Sequence, residues 1–317
     1  MSLPAALRKN PALAILALLW VLLALMVALV RPEMASGTSL TSILQFATIL
    51  ALVALGQGLV ILAGGAGIDL SVGGTVSLSA VLAMMAFKAG MPGPLLPLAC
   101  LAIGAILGLL NGVLVARLKI FPLIVTLGTF YVYSGLALSL TGGAAQGGVP
   151  GWALPFGRGT AGAIPLPFLL TVVPAFALAA VVLSLTSWGR WIYAMGHNEA
   201  SARLVGIPVD RVRTILYTLC GTLAGLASFV SLAWLGSGRP NVGVNLELES
   251  LTAAMLGGIA IFGGRGSILG VLAAVVLIVT LKTAMLQLGL NTVWQLGAVG
   301  LLLILVLLAD RLGNRQR

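Results

Sequence analysis

The sequence predicts an all-α fold: a polytopic transmembrane helical bundle in which residues 1–317 form a single domain. Three observations predict it. Hydrophobic residues make up 60% of the chain and charged ones 8%, whereas a water-exposed surface needs far more polar side chains than that. The apolar residues gather in ten runs, most of them close to the roughly 20 residues that cross a hydrocarbon core about 30 Å thick. Lysines and arginines sort to one side of those runs, as they do in loops on the cytoplasmic face.

In chain order the expected spans are 12–30, 42–62, 70–87, 95–115, 121–141, 166–185, 214–235, 250–262, 267–286 and 292–309. The first follows Arg8 and Lys9. It is longer than the apolar region of a cleaved signal peptide and lacks a small-residue cleavage site, so a retained helix is expected. The eighth is short and glycine-rich, which suits a broken or re-entrant segment. With both termini cytoplasmic, the inner segments hold Arg8, Lys9, Arg117, Lys119, Arg190, Arg203, Arg211, Arg213, Arg265, Arg311, Arg315 and Arg317, twelve of the seventeen cations. Arg31, Lys88, Arg158, Arg239 and Lys282 fall on the outer side. The net charge of +10 is thus a record of topology. Its cations are scattered between apolar runs, so nucleic acid is not an expected partner, and membrane lipid is. Residues 142–165 (GGAAQGGVPGWALPFGRGTAGAIP) form an outer loop whose Gly and Pro content stops a long helix. Trp152, Trp234 and Trp294 fall near the outer boundary and Trp188 and Trp191 near the inner one, at the depth where amphipathic rings settle.

Residues 187–213 (SWGRWIYAMGHNEASARLVGIPVDRVR) are the most polar stretch. They carry Arg190, Arg203, Arg211, Arg213, Glu199, Asp210 and the one histidine, His197. A chain with so few charges that concentrates them in one loop presents that loop to a soluble partner. Glu199 and Arg203 stand at i, i+4 for a helical ion pair of a few tenths of a kcal/mol. Gly206, followed by Ile207 and Pro208, ends the helix and leaves a compact knob. Glu199 and Gly206, seven apart, are expected on one face.

Two glycine-rich turns stand out: 63–74 (AGGAGIDLSVGG) between the second and third spans, and 257–266 (GGIAIFGGRG) between the eighth and ninth. Their likeness suggests an internal repeat. Glycine permits such breaks and close helix packing. Asp69 lies in the first turn as an acid in apolar surroundings. Two readings stand: an N-cap of the third helix, stabilising it by roughly 1 kcal/mol, or an acceptor for a polar solute or part of a gate.

Enzymatic classes find no support. His197 has no Cys, Asp or Glu cluster at ligand spacing, so no metal site is expected. Lys9, Lys88, Lys119 and Lys282 each follow a residue other than glycine, so a phosphate-cradling Gly-Lys loop is absent. Cys100 and Cys220 lie inside apolar runs and do not suggest a disulfide.

The stretches 59–73 (LVILAGGAGIDLSVG), 193–206 (YAMGHNEASARLVG) and 256–270 (LGGIAIFGGRGSILG) together resemble, in matching order, the three strongest signatures of the ribose-type permeases of bacterial ABC importers. The resemblance implies an inner-membrane subunit that imports a monosaccharide or related small polyol. A periplasmic sugar-binding protein would feed it, a second permease copy or paralogue would complete it, and a separate ATP-binding cassette subunit, holding ATP and magnesium, would drive it. This chain would then bind no cofactor itself. Glu199, Ala200, Ser201, Arg203 and Gly206 match the family's ATPase-docking loop. Gly67, Asp69, Ser71, Gly73, Gly263, Gly264 and Gly266 are expected to serve as a gate or as structural turns. The turn before Ile68 is two residues longer than the family pattern, so no role is carried over to Gly64, Gly65 or Ala66. The alternative is an ion-coupled secondary transporter, which would place ionisable residues at mid-membrane. Apart from Asp69 the expected spans offer little of that kind.

Overall fold

The computed structural model describes residues 11–30 and 36–314. Arg8, Lys9, Arg31, Arg315 and Arg317 lie outside the described residues. The chain forms helices α1 (Pro11–Val30), α2 (Gly37–Leu62), α3 (Val72–Lys88), α4 (Leu96–Ala116), α5 (Pro122–Thr141), α6 (Ala153–Arg158), α7 (Val173–Leu185), α8 (Ser187–His197), α9 (Glu199–Leu204), α10 (Val209–Leu235), α11 (Leu246–Leu256), α12 (Ile268–Gln287) and α13 (Thr292–Asn314). Local chemistry sets the boundaries. Ser36 caps α2 by accepting from the Ser39 N–H, Pro122 opens α5, and Gly142 and Gly236 close α5 and α10 in left-handed geometry.

Among the described residues seven helical segments are long and apolar enough to cross a membrane. The expectation of ten spans is therefore met only in part. The segment expected at 70–87 is the 17-residue α3, and that at 292–309 falls in α13, whose stretch Thr292–Leu308 is apolar. The segment expected at 250–262 is the 11-residue α11 followed by irregular chain. The described chain also contains two minimal antiparallel ribbons. Gln146–Gly147 pairs with Ser237–Gly238, tying the 142–165 loop to the chain after α10, and Thr160–Ala161 pairs with Ile164–Pro165.

The long helix α2 is the centre, with α10, α11 and α12 packed around it. The closest pairing is α4 against α10. Gly104 and Gly108 face Gly225 and Gly221; a Cβ on Gly104 would lie 2.8 Å from the Gly225 Cα, and one on Gly108 2.9 Å from the Gly221 Cα. Without a hydrophobic drive between helices in lipid, such small-residue seams let backbones approach.

Two helices begin inside the bundle. After α2 the chain turns back through residues 63–71, so that Asp69 reaches the interior before α3 starts. After α10, residues 236–245 run alongside α3: a Cβ on Gly238 would lie 3.0 Å from Ala80 O, and the Gly243 N–H donates to Ser77 Oγ at 3.0 Å. A Cβ on Gly243 would in turn lie 2.9 Å from the Gly73 Cα. The starts of α3 and α11 thus meet, each reached by non-helical chain from opposite ends of the bundle. Such chain is tolerated at membrane depth only where protein or a wet cavity surrounds it. The broken character expected of the eighth segment lies before α11 as well as after it.

Candidate docking corner

The ends of α2, α8 and α11 converge on one corner. The Gly264 N–H donates to Leu62 O at 2.9 Å, joining the 257–266 turn to the end of α2. Tyr193 Oη on α8 donates to Gly266 O at 3.1 Å. A Cβ on Gly64 would lie 2.8 Å from the Gly196 Cα, one on Gly263 2.6 Å from the Gly64 Cα, and one on Gly264 2.8 Å from the His197 N. Real Cβ atoms do not sit under 3.0 Å from such neighbours, and Gly264 also has φ +74°, where a side chain is strained. The three sequence signatures are therefore one packed unit. Gly64 and Gly65, to which no role was carried over, belong to it: Gly65 sits against the Arg213 guanidinium.

An ionic chain holds the knob on this corner. Glu199 is the first residue of α9, whose cap is Asn198 accepting from the Ser201 N–H at 3.0 Å. Arg203 Nη2 donates to Glu199 Oε1 at 2.8 Å and to Asp210 Oδ1 at 2.6 Å, while Arg213 Nη2 donates to Glu199 Oε2 at 2.8 Å. Lys119, from the link between α4 and α5, donates to Asp210 as well. The hydrogen bond from Arg213, with that from Arg203, holds the Glu199 carboxyl below the usual carboxylate range against the opposing effect of partial burial. Arg213 is 8% exposed on α10, so the pair fixes the knob to a span that is itself packed on α2 and α4.

The helix α9 is only six residues long, too short for Glu199 and Gly206 to share a face; that expectation is corrected. Gly206 instead ends it. The Ile207 N–H donates to Ala202 O and the Gly206 N–H to Arg203 O, with Gly206 at φ +84°, which is a Schellman closure. Ala200 and Ser201 face outward and Ala202 is buried. Two large apolar side chains of the knob are strongly exposed: Leu204 at 88% and Val205 at 76%. The sequence reading passed over them because Leu and Val in an apolar chain carry no contrast. Their signal was position, between a helix end and a Gly-Ile-Pro stop.

The remaining predicted residues lie deeper. Asp69 is 1% exposed and is not the N-cap of α3, which is Ser71. Asp69 Oδ1 accepts from the Ser71 N–H at 2.9 Å and from Ser71 Oγ at 2.6 Å, an Asx turn that delivers the chain into the helix. Asn111 Nδ2 on α4 donates to Ser71 Oγ at 2.7 Å. Gly67 closes the preceding turn on Gly64 O, and Gly73 meets Gly243 where α3 and α11 begin. The predicted turn residues thus divide: Gly263, Gly264 and Gly266 join the knob, whereas Gly67, Asp69, Ser71 and Gly73 line the way from the corner to the interior junction.

Further ionisable groups lie within the described helices. Lys282, placed on the outer side from sequence, lies within α12 and donates to Glu249 Oε1 of α11 at 2.6 Å. Among the described residues no three His, Cys, Asp or Glu gather as a metal site.

A family model described as "Branched-chain amino acid transport system / permease component" matches residues 39–307. The chain is 37% identical to the ribose import permease protein of Bacillus subtilis over 92% of this chain and 90% of that one. It is 35% identical to the fructose import permease protein of Rhizobium meliloti, covering 87% and 78%. It is 36% identical to an autoinducer 2 import system permease protein of an Enterobacter species, covering 94% and 84%. No solved structure matches.

Proposed function

Because this chain belongs to the family of branched-chain amino acid transport system permease components, we propose that it is the membrane-spanning subunit of an ABC importer for a monosaccharide or related small polyol. It is a multi-pass inner-membrane protein whose relatives include ribose and fructose import permeases. A periplasmic sugar-binding protein delivers the solute, a second permease copy or paralogue completes the pathway, and a separate ATPase holds ATP and magnesium. The docking corner faces the cytoplasm, as do both termini. The resemblance noted in the sequence and the names of the relatives favour a sugar over an amino acid, and membership of this family argues against ion-coupled transport.

One observation carries the docking assignment. The knob presents Leu204 and Val205 to solvent while its charges are satisfied internally. Exposed apolar side chains on a rigid base are what a groove on another protein binds, and charges already paired at the base contribute orientation more than contact. Glu199 is then a positioning residue. ATPase movement would be passed through the Glu199–Arg213 pair to α10, and through the glycine contacts to the ends of α2 and α11. The test is co-expression with the cognate ATP-binding cassette ATPase. Wild-type membranes should retain the ATPase through purification, and Leu204→Asp with Val205→Asp should release it while the permease inserts normally. Undiminished retention would overturn the assignment.

A further inference from the structure

At the end of the bundle opposite the docking corner, α2, α10, α11, α12 and α13 wall a cavity of about 340 Å³. Glu249, Lys282, Gln295, Trp234 and Phe46 line it. Lys282 and Glu249 form the ion pair that joins α12 to α11. Phe46 and Trp234 stand edge to face, with ring centroids 4.9 Å apart. None of these residues takes part in docking.

An ion pair within an apolar bundle is poorly accounted for by stability alone, because desolvating two charges offsets much of their attraction. Ionisable groups at membrane depth instead mark solute pathways. This pair has capacity to spare. An ammonium has three donors and a carboxylate about four acceptor positions, and their mutual bond engages one of each. The cavity is mostly apolar with a few polar groups, and its volume is at the lower end of small-molecule sites. The Lys282 side chain is 29% exposed, so the pair is not sealed inside the bundle.

A cation would be opposed by Lys282 and an anion by Glu249. A neutral polyhydroxylated ring matches both, because each hydroxyl donates and accepts. It can bond the ammonium, the carboxylate and the Gln295 amide together while its apolar face rests on an aromatic ring. We propose that this cavity is a sugar subsite of the permease, with Glu249, Lys282 and Gln295 as its polar contacts and Trp234 as its platform. The inference rests on the sugar-permease reading above.

The test uses the full complex of permease, ATPase and binding protein in proteoliposomes, with labelled D-ribose and D-fructose as probes. Two double variants are compared with wild type: the neutral pair Glu249→Gln with Lys282→Met, and the exchanged pair Glu249→Lys with Lys282→Glu. The exchanged pair retains an ion pair, so it separates loss of folding from loss of the subsite. Both variants should reach wild-type membrane levels and keep ATP hydrolysis stimulated by loaded binding protein, while uptake falls by about tenfold or more. Uptake within about twofold of wild type in the exchanged variant would make the pair a structural brace and overturn the subsite. A wild type that moves neither of these sugars nor any pentose, hexose or polyol retained by its binding protein would overturn the sugar reading itself, which is a separable result.

Discussion

The two ends of this molecule are both rich in glycine, and they use it differently. At the docking corner, Gly64, Gly196, Gly263 and Gly264 sit where an added Cβ would meet backbone of another motif. In the loop at the far end, Gly142, Gly143, Gly147, Gly148 and Gly151 have nothing within 4 Å of such an atom. The first set is required by packing between segments far apart in sequence, and the second only lets a chain turn. Composition alone does not separate them; what a side chain would touch does.

The sharpest way to break this comparison is to add bulk at both ends. Gly264→Leu forces a strained φ and a backbone collision, costing about 1–3 kcal/mol or more, and uptake should fall to background. Gly147→Leu should leave uptake within about twofold of wild type, since nothing opposes it. Equal tolerance in a transport assay would reduce the corner to an ordinary linker. Charge reversal comes next. Glu199→Lys leaves Arg213 without its partner and places a third cation beside Arg203, a loss of about 2 kcal/mol for a charged, partly buried hydrogen bond. The ATPase should then dissociate while insertion is normal, as read by copurification, and Glu199→Gln should retain more of it.

Within the interior the effects are smaller and more selective. Asp69→Asn preserves an oxygen for the Ser71 N–H and hydroxyl, so expression and uptake should be near normal. Asp69→Ala leaves both donors without their acceptor and should lower the detergent melting temperature through a loss of about 1–3 kcal/mol. A stable Asp69→Asn protein that hydrolyses ATP without uptake would instead make the carboxylate part of the gate. The weakest expected effect is that of pH. A Glu199 carboxyl held below its unfolded value of about 4.3 contributes stability that is complete above that value and lost as pH falls through the lower folded value. Hydrogen-exchange protection of residues 193–214 should therefore be constant from neutral pH down to about 5 and decline below about 4. A decline centred near neutrality would contradict the pairing of Glu199.

What the sequence made legible was whatever local chemistry decides. Gly206 closes α9, the two glycine turns fall where helices end, and the apolar runs locate most spans. What it concealed depended on which segments meet. Glu249 and Lys282 stand 33 residues apart and each resembles an ordinary end charge until α11 is seen to start inside the bundle. The 236–245 segment reads as an outer loop, because only its contacts with α3 reveal its depth. Asp69 was found, but its role was misplaced by two residues, since an Asx turn and an N-cap use the same oxygen. The α4 seam was the one concealed feature with a visible signal: Gly104, Gly108 and Gly112 repeat every fourth position, as Gly221 and Gly225 do.

The central claim, that an ATPase seats on the apolar tip of the α9 knob, is most directly tested by cross-linking. Cys100 and Cys220 are buried, so Leu204→Cys introduces an accessible thiol. Labelled with a photoactivatable maleimide in membranes that contain the ATPase, Leu204→Cys should yield a permease–ATPase adduct, and Gly147→Cys in the far loop should yield none. An adduct from position 147 with none from position 204 would contradict the account.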